Sequence, residues 1–306
     1  MIIQHCFEPL ELKILRSLNE RMELPDKEKH RLFSLNKGYK GEKIFETDWL
    51  KNLSCECFII NDLLLEYSGN VFQIDTLLIS QKTIYLFDVK YFEDDFYIIE
   101  GKWHRKSSEK EIKDPLLQLT RCESLFRRLL QDIHVNLPVE ANLIFINPHF
   151  TLYHAALDLP IIFPGQIQRY MKNIETSPSK LNEMHSKLVD QLMTRQLDEA
   201  KYARYPSYKY ELLKKGLTCG SCDSFMVLST IRNKLICQKC GQIEVVDDAV
   251  IRNVKQFQLL FPERKITTNI IYEWCGVIES NKTIRRILMK NFNHIDHARL
   301  SYFVDR

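Results

Sequence analysis

Residues 71–90 read VFQIDTLLISQKTIYLFDVK, and this stretch decides the fold of the first half of the chain. Two runs rich in apolar, β-branched and aromatic residues flank a turn at residues 81–82, which predicts a β-hairpin. The second run is apolar on both faces, as expected of a central strand. Asp75 nevertheless lies within the first run, and Asp88 and Lys90 end the second. The last two share a face, because side chains two positions apart on a strand point the same way.

The residues around this hairpin predict a mixed α/β domain at residues 36–175. Another β-rich run precedes the hairpin, and helical apolar spacing is found both before that run and after Pro115, which suits the first turn of a helix. An apolar strand at residues 141–146 follows that helix. The order of helix, β-meander, helix and strand predicts a mixed sheet flanked by helices.

The composition is that of a globular protein. Of 306 residues, 45% are hydrophobic and 27% are charged, and no apolar run approaches the roughly 20 residues of a membrane span. The first residues include acidic groups and no small-residue cleavage site, so we expect no secretory signal, no membrane partner and a cytoplasmic location. The net charge is only +3, but residues 249–306 contain ten Lys or Arg against five Asp or Glu. That excess favours an anionic partner for the last fifth of the chain.

Four of the nine cysteines form two CxxC pairs that predict a zinc ribbon at residues 213–248. Fourteen residues separate the pairs, and residues 232–233 are the expected bend between the two ribbon strands. Four thiolates complete a tetrahedral site that suits structural Zn²⁺ and leaves no open position for catalysis. A redox dithiol is the alternative, but two matched pairs without thioredoxin-like surroundings disfavour it. The predicted zinc ligands are Cys219, Cys222, Cys237 and Cys240.

The basic residues 249–306 have the pattern of a small helix-turn-helix-like domain. Gly276 separates two helical segments, and Ser280 is a suitable N-cap for the second of them. The second segment carries basic residues off its apolar face, as expected of a helix that approaches phosphates or a major groove. A helical hairpin with a solvated basic face, or a protein-docking module, has the same pattern. The predicted nucleic-acid-binding residues are Lys282, Arg285, Arg286 and Lys290.

Asp75 and Asp88 pose the question of how carboxylates are tolerated inside a sheet, because burial of an unpaired charge is costly. A divalent cation is one answer, since the two carboxylates and the carbonyl oxygen of Val89 are hard ligands that suit Mg²⁺ or Mn²⁺. Such a metal lowers the pKa of a bound water, and Lys90 would orient that water or neutralise developing negative charge. A structural salt bridge between Lys90 and either aspartate is the other answer.

Four short motifs of this domain resemble the nuclease-related domain (NERD) family, which is assigned to the PD-(D/E)XK nuclease superfold. They are GYKGE at 38–42, QID at 73–75, DVK at 88–90 and DPLLQ at 114–118, and the resemblance covers residues 36–165. It implies a restriction-endonuclease-like fold and a catalytic site that uses Mg²⁺ or Mn²⁺. The residues that match the family's catalytic positions are Glu42, Asp75, Asp88, Lys90 and Gln118.

Three positions depart from the family's usual pattern. Position 88 is Asp where Glu is more common, which shortens the reach of the carboxylate by one methylene group. Tyr91 and Asp114 stand where the family more often has Asn. The wider superfold accepts Asp at position 88, so these departures do not by themselves indicate an inactive site.

Two functions from different classes are compatible with these features. The first is a metal-dependent nuclease that hydrolyses phosphodiester bonds of DNA and is targeted by the ribbon and the helix-turn-helix-like module. The second is a non-catalytic DNA-binding or regulatory protein whose nuclease-like domain is a scaffold. DNA is the expected partner, although RNA stays open, and a homodimer is compatible with cutting both strands. The remaining segments, 1–35 and 176–212, are predicted to be an N-terminal helical segment and a helical connector.

Overall fold

The structure is a computed structural model that describes residues 1–222, 224–229, 231, 233–296 and 301–306. Arg232, at the expected bend of the ribbon, lies outside the described residues, as do residues 297–300 of the predicted C-terminal domain. The chain divides into two compact units. Unit 1 consists of Met1–Leu10 and Phe33–Ala203, and unit 2 consists of Glu11–Leu32 and Arg204–Arg306.

The helices and strands occur in runs along the chain. Within the described ranges, none of the helices combines the length and the apolar character that a membrane crossing requires. The elements up to residue 195 are β1 (Ile2–Gln4), α1 (Leu10–Arg21), α2 (Asp26–Ile44), β2 (Phe58–Tyr67), β3 (Asn70–Ile79), β4 (Ile84–Lys90), β5 (Asp95–Ile99), β6 (Lys102–Arg105), β7 (Lys110–Ile112), α3 (Pro115–Asp132), β8 (Val139–Phe145), β9 (Thr151–Tyr153), β10 (Ile161–Ile162), α4 (Ile167–Thr176) and α5 (Glu183–Arg195). Those that follow are β11 (Met226–Leu228), β12 (Lys234–Cys237), β13 (Ile243–Val245), α6 (Val246–Leu260), α7 (Thr268–Cys275), α8 (Asn281–Asn291), β14 (Asn293–Ile295) and β15 (Tyr302–Val304).

Unit 1 is built on a six-stranded mixed sheet with the strand order β1-β2-β3-β4-β8-β10. Strands β2, β3 and β4 form an antiparallel meander, whereas β4, β8 and β10 are parallel, and β1 runs parallel to β2. Strand β4 is hydrogen-bonded on both sides, in agreement with its apolar character on both faces. A smaller sheet has the order β7-β6-β5-β9. The predicted α/β class, a mixed sheet flanked by helices, is therefore confirmed.

Each face of the large sheet has its own apolar core. Helices α3 and α5 pack against one face, to which Phe126 and Leu192 contribute fully buried side chains. Helix α5 lies within the segment that the sequence predicted as a connector, yet its Leu192 belongs to this core. On the other face, the core includes Met171 from α4 and Phe45 from the π-helical turn that follows α2. Phe87 of β4 packs edge-on against Phe45, with ring centroids 5.5 Å apart.

Strands β2 and β3 are interrupted together at one point. The ladder between them skips Asp62 and Asp75, which stand opposite each other between two regularly paired positions. The backbone of Asp62 has a φ of 54°, a left-handed conformation that is uncommon outside glycine. Ile74 and Leu77 belong to the same core although they are three positions apart. In a regular strand, residues three positions apart point to opposite faces of the sheet. This matched kink takes Asp75 out of the regular pairing of the sheet.

Unit 2 contains a fully buried cation, Arg21 of α1. Its guanidinium carbon lies 3.7 Å from the centroid of the Trp274 ring. The same group donates hydrogen bonds to the carbonyl of Lys214 and to the Oδ1 of Asn253, both at 2.8 Å. Burial is the main cause that lowers the pKa of Arg21, to about 10. A buried guanidinium requires this many partners, and they tie α1 to the α6 and α7 segments within the unit.

The remainder of unit 2 is a small three-stranded sheet followed by three helices and a β-hairpin. Strands β11, β12 and β13 are antiparallel, as are β14 and β15. Helix α7 is capped at its start by the side chain of Thr267 and ends at Gly276, whose φ is 65°. An isolated bridge joins Ile266, ahead of α7, to Phe303 of β15. The C-terminal hairpin is thereby anchored to the entry of α7.

Candidate active site and candidate metal centre

Glu42 lies near the end of β4 because Gly41 allows α2 to pack closely against the sheet. A Cβ atom at position 41 would lie 3.0 Å from the Cβ of Tyr91 and 3.4 Å from the Cγ2 of Ile146. A side chain there would require a neighbour to move by a few tenths of an ångström, so glycine favours the close approach. Tyr91 directly follows Lys90, and the glycine therefore brings the next helical residue, Glu42, to the charged end of β4.

Asp75 is bound to the neighbouring strand through its side chain. Its Oδ2 accepts a hydrogen bond of 2.8 Å from the backbone N–H of Val89. Val89 stands between Asp88 and Lys90 in β4, so the carboxyl group of Asp75 is held beside both of these residues. The kink in β3 explains this placement. In a regular strand the side chain would point out of the plane of the sheet and not toward the neighbouring strand.

Asp88 and Lys90 form an ion pair, with 2.5 Å between Oδ1 and Nζ. Their side chains are 8% and 19% exposed, so the pair is largely removed from water. Removal of one partner from a buried pair of this kind strongly destabilises the fold, because the other charge is then left uncompensated. This contact is the salt bridge that the sequence left open as one alternative, and it is also compatible with a metal site.

The charged groups of this cluster perturb one another. Burial, and next the negative charge of Asp88, raise the pKa of Asp75 to about 7. Burial, and next the charge of Asp75, hold the pKa of Glu42 well above its ordinary value. Burial would lower the pKa of Lys90, but Asp88 and Asp75 outweigh it, so that pKa is raised. Three carboxyl groups thus share one ammonium group, and they cannot all ionise cheaply at neutral pH.

This donor set suits a hard divalent cation. Oxygen ligands are those that Mg²⁺ and Mn²⁺ prefer, and a bound cation would supply the positive charge that the three carboxyl groups lack. Asp75 and Asp88 are the residues that could hold it. Their ligand atoms are not as tightly gathered as those of a closed site. Within the described ranges, the groups of potential ligand residues whose atoms all lie within 4.8 Å of one another are the four cysteines of the CxxC pairs and a group that contains Glu42 but neither Asp75 nor Asp88.

Gln118, the fifth predicted catalytic residue, lies in the first turns of α3 and is exposed to solvent. One helical turn later, Cys122 is buried, and its thiol donates a hydrogen bond of 3.3 Å to the carbonyl of Gln73. Burial raises the pKa of Cys122 to about 12, and the charges of Asp75 and Asp88 add to that shift. Cys122 thus lies within electrostatic reach of the acidic cluster, whereas Gln118 is exposed on the same helix.

Two further residues of this region were not predicted from the sequence, Cys6 and Asp62. A ligand atom of each lies within 4.8 Å of the other and of the Glu42 carboxyl group. Burial raises the pKa of Asp62 to about 6, against a hydrogen bond from Phe7 N–H that favours the ionised form. Asp62 had a sequence signal, since it interrupts an apolar strand beside the one that carries Asp75. Cys6 had none, because it is 36 positions from Glu42.

Unit 2 brings the four cysteines of the two CxxC pairs into one cluster, as predicted. The sulfur atoms are 3.7 Å apart between Cys219 and Cys240 and 3.4 Å apart between Cys222 and Cys237. Hydrogen bonds from the side chain and the backbone of Ser224 lower the pKa of Cys222 to about 6, which favours a thiolate there. The cluster could hold a tetrahedral metal ion such as Zn²⁺.

The four basic residues predicted to bind nucleic acid all lie exposed on α8. Three of them, Lys282, Arg285 and Lys290, point away from the buried apolar side of the helix. Arg286 instead forms a two-pronged ion pair with Asp247 at the start of α6, at 2.7 and 3.0 Å. Its guanidinium is therefore already engaged within the unit, although the side chain remains 54% exposed.

The raised pKa of Asp75 predicts a pH-dependent effect of Asp75→Asn on stability. Because the folded-state pKa of about 7 lies above the unfolded value of about 3.9, this group costs the folded state stability as pH rises from about 4 through about 7. An amide keeps an acceptor for Val89 N–H and removes the charge. Without divalent cations, we expect the variant to exceed the original protein in unfolding free energy at pH 8, by on the order of 1–3 kcal/mol, with no gain at pH 4.

Urea unfolding at the two pH values measures this difference. Asp158→Asn is the matched control, because Asp158 is an exposed aspartate of the same unit and should show no such pH-dependent gain. An Asp75→Asn protein that is destabilised equally at pH 4 and pH 8 would contradict the electrostatic account of the cluster.

Comparison with known protein families agrees with the resemblance seen in the motifs. The family model described as the nuclease-related domain matches residues 37–146, a span that includes all five predicted catalytic residues. No curated protein and no solved structure matches the chain. The matched span covers just over a third of the chain and ends before the four-cysteine cluster. Residues 37–146 of this protein thus match the nuclease-related domain family.

Proposed function

We propose that this protein is a metal-dependent nuclease that hydrolyses phosphodiester bonds of DNA. The observation that carries the proposal is the gathering of Glu42, Asp75, Asp88 and Lys90 at one buried end of the sheet, within the span that matches the nuclease-related domain. Carboxyl groups in this number beside a single ammonium group need a reason, and a bound divalent cation provides one.

Asp75 and Asp88 would hold Mg²⁺ or Mn²⁺ in this site. When bound, such a metal supplies a more acidic water and neutralises charge on a phosphoryl oxygen. Lys90 retains its proton, since the neighbouring carboxylates raise its pKa, and its ammonium group is suited to stabilise negative charge that develops on the phosphate. Glu42, on α2, would orient water beside the metal. Gln118 would contact substrate from the exposed start of α3.

Unit 2 would supply affinity for the nucleic acid. Helix α7, the turn at Gly276 and helix α8 have the order of a helix-turn-helix, and the β14–β15 hairpin follows them. Exposed Lys282, Arg285 and Lys290 on α8 are suited to phosphates, and each phosphate contact releases counterions. The four-cysteine cluster would hold structural Zn²⁺, because a segment this small buries too little apolar surface to fold alone. The oligomeric state stays an expectation, and a homodimer is compatible with cleavage of both strands.

A non-catalytic DNA-binding protein is the second candidate, and one observation favours it. The ion pair between Asp88 and Lys90 compensates the charge of both groups without a metal, so the cluster could stabilise the fold alone. That candidate predicts binding of DNA without cleavage in the presence of any divalent cation.

The nuclease proposal predicts cleavage of DNA that requires Mg²⁺ or Mn²⁺ and is lost in Asp75→Ala and Lys90→Ala. Loss of a catalytic charge should lower the rate by at least about a hundredfold. Plasmid nicking and cleavage of labelled single- and double-stranded DNA and RNA measure activity, while gel shifts measure binding in parallel. The matched controls are Asp158→Ala and Lys82→Ala, which alter exposed residues of the same unit.

Two results would decide against the nuclease. One is cleavage by both variants at the rate of the controls, which would place the activity in another site or another protein. The other is binding of DNA by the original protein without cleavage under any divalent cation, which would establish the second candidate.

The four-cysteine cluster predicts one Zn²⁺ per chain. Cys237→Ser should lose most of the bound metal, because a hydroxyl is a poor replacement for a thiolate ligand. Elemental analysis of the purified protein gives the stoichiometry. Cys55→Ser, which alters a half-buried cysteine of unit 1, should retain the metal. Equal zinc content in the two variants would contradict the assignment.

Helix α8 predicts a loss of DNA affinity on charge reversal. Arg285→Glu should weaken binding severalfold and lower the salt dependence of binding by about one phosphate contact. Fluorescence anisotropy across a salt series measures both quantities. Lys187→Glu is the control for net charge, since Lys187 is an exposed lysine of unit 1 paired with Glu183. An unchanged affinity and salt slope for Arg285→Glu would exclude α8 as the DNA contact.

A further inference from the structure

Residues 5–7 of unit 1 are fixed against the acidic cluster by side chains of α2 and β2. The N–H of Phe7 donates a hydrogen bond of 3.1 Å to the Oδ2 of Asp62. The N–H of Cys6 donates to the Oε2 of Glu46, and the carbonyl of Cys6 accepts from the Nζ of Lys43 at 3.3 Å. The backbone on both sides of the Cys6 side chain is therefore held in place.

Glu46 is the anchor of this segment. Its side chain is completely buried and also accepts a hydrogen bond of 3.2 Å from the Nδ2 of Asn61. Burial would raise the pKa of Glu46, but hydrogen bonds from Cys6 N–H, His5 and Lys43 outweigh it and lower that pKa. Glu46 follows Glu42 by four positions along α2 and its π-helical continuation, so the same side of the helix carries both carboxyl groups. The element that places Glu42 thus also fixes Cys6.

The Cys6 thiol is directed at the Glu42 carboxyl group. Its side chain is buried, with 3% of its surface exposed, and its sulfur lies 3.9 Å from the Oε2 of Glu42. A carboxylate oxygen of Asp62 lies within 4.8 Å of the same sulfur. A thiol surrounded by carboxyl groups remains protonated, and a protonated thiol is a hydrogen-bond donor. The S–H of Cys6 is thus a neutral donor beside the Glu42 carboxyl group.

We propose that Cys6 is a positioning residue for Glu42, whose carboxyl group it orients toward the site of Asp75 and Asp88 by donating its S–H. The catalytic part of this inference rests on the proposed nuclease function. The positioning contact itself rests on the contacts of residues 5–7. Removal of the donor leaves Glu42 in a buried corner among carboxyl groups, from which it turns away. The site then loses the carboxyl group that Glu42 contributes to it.

Cys6→Ala and Cys6→Ser separate this role from simple packing. Neighbours that orient the groups of a metal site typically contribute ten- to a hundredfold to metal affinity or activity, so Cys6→Ala should raise the Mn²⁺ concentration for half-maximal cleavage by about tenfold. Cys6→Ser keeps a donor and should stay within about threefold of the original protein. Cys57→Ala is the matched control, because Cys57 is equally buried but has Cys55 and the N-terminus as its titratable neighbours and not the carboxyl groups of the cluster.

The cleavage assay has two results that would overturn the proposal. One is a Cys6→Ala protein with the same Mn²⁺ dependence as Cys57→Ala, and the other is a Cys6→Ser protein as impaired as Cys6→Ala. Melting temperatures of the three variants show how much stability each substitution costs. The loss in Cys57→Ala is the loss expected from removal of a buried thiol alone.

A second measurement does not depend on catalysis. In crystal structures of the metal-free protein, we expect the Glu42 carboxyl group to contact residue 6 in the original protein and in Cys6→Ser, and to have turned away in Cys6→Ala. An unchanged Glu42 side chain in Cys6→Ala overturns the positioning role, whether or not DNA is cleaved. Absence of cleavage by the original protein, together with the expected displacement of Glu42, overturns the nuclease and leaves the positioning contact established.

Discussion

A single ammonium group, that of Lys90, compensates the charge of three carboxyl groups at the buried end of β4, and the local structure follows from this imbalance of charge. Charges interact more strongly there than in water, because the surroundings are apolar. In the folded protein, Lys90 forms an ion pair with Asp88, and the raised pKa values of Asp75 and Glu42 disfavour ionisation of these two groups. A bound cation would compensate the imbalance differently, by letting all three groups ionise. Under the proposed function, the cluster would therefore exchange a partly protonated form for a metal-bound form.

The matched kink in β2 and β3 makes this arrangement compatible with a sheet. A regular ladder would send Asp75 into an apolar core, where no partner is available. Because both strands are interrupted at the same point, the register before and after the kink stays the same, and the cores on either side continue undisturbed. The kink turns the side chain of Asp75 to the N–H of Val89. It also leaves Asp62 opposite Asp75, where it fixes Phe7 and approaches Glu42. One irregularity thus places two acids and the segment that contacts a third.

Local patterns in the sequence were sufficient for the meander, the helix after Pro115, the cysteine cluster and the family of the central domain. Each depends on residues close in sequence: alternation along β3 and β4, a proline at a helix start, or two CxxC turns. The contacts that complete the site join distant segments, and no local pattern encodes them. Cys6 meets Glu42, and Arg286 meets Asp247, only because the fold brings their elements together. The sequence gives one weak indication of the kink, an acidic residue in each of two apolar strands. That the two interruptions lie opposite each other is visible only when the strands are paired in the structure.

Under the proposed function, the same imbalance of charge links metal and substrate. An acidic cluster repels a phosphodiester as long as its charge is not compensated, so unit 1 without a cation is a poor binder of nucleic acid. A cation in the site changes the sign of the local field, and substrate affinity rises with it. Because such coupling is reciprocal, the phosphate must in turn raise the affinity for the metal. The loose spacing of Asp75, Asp88 and Glu42 agrees with this view, since a site that closes fully only around metal and phosphate together has no reason to be tight beforehand. The exposed basic residues of α8 then have a clear physical role, because they supply the attraction that the catalytic cluster lacks until its metal is bound.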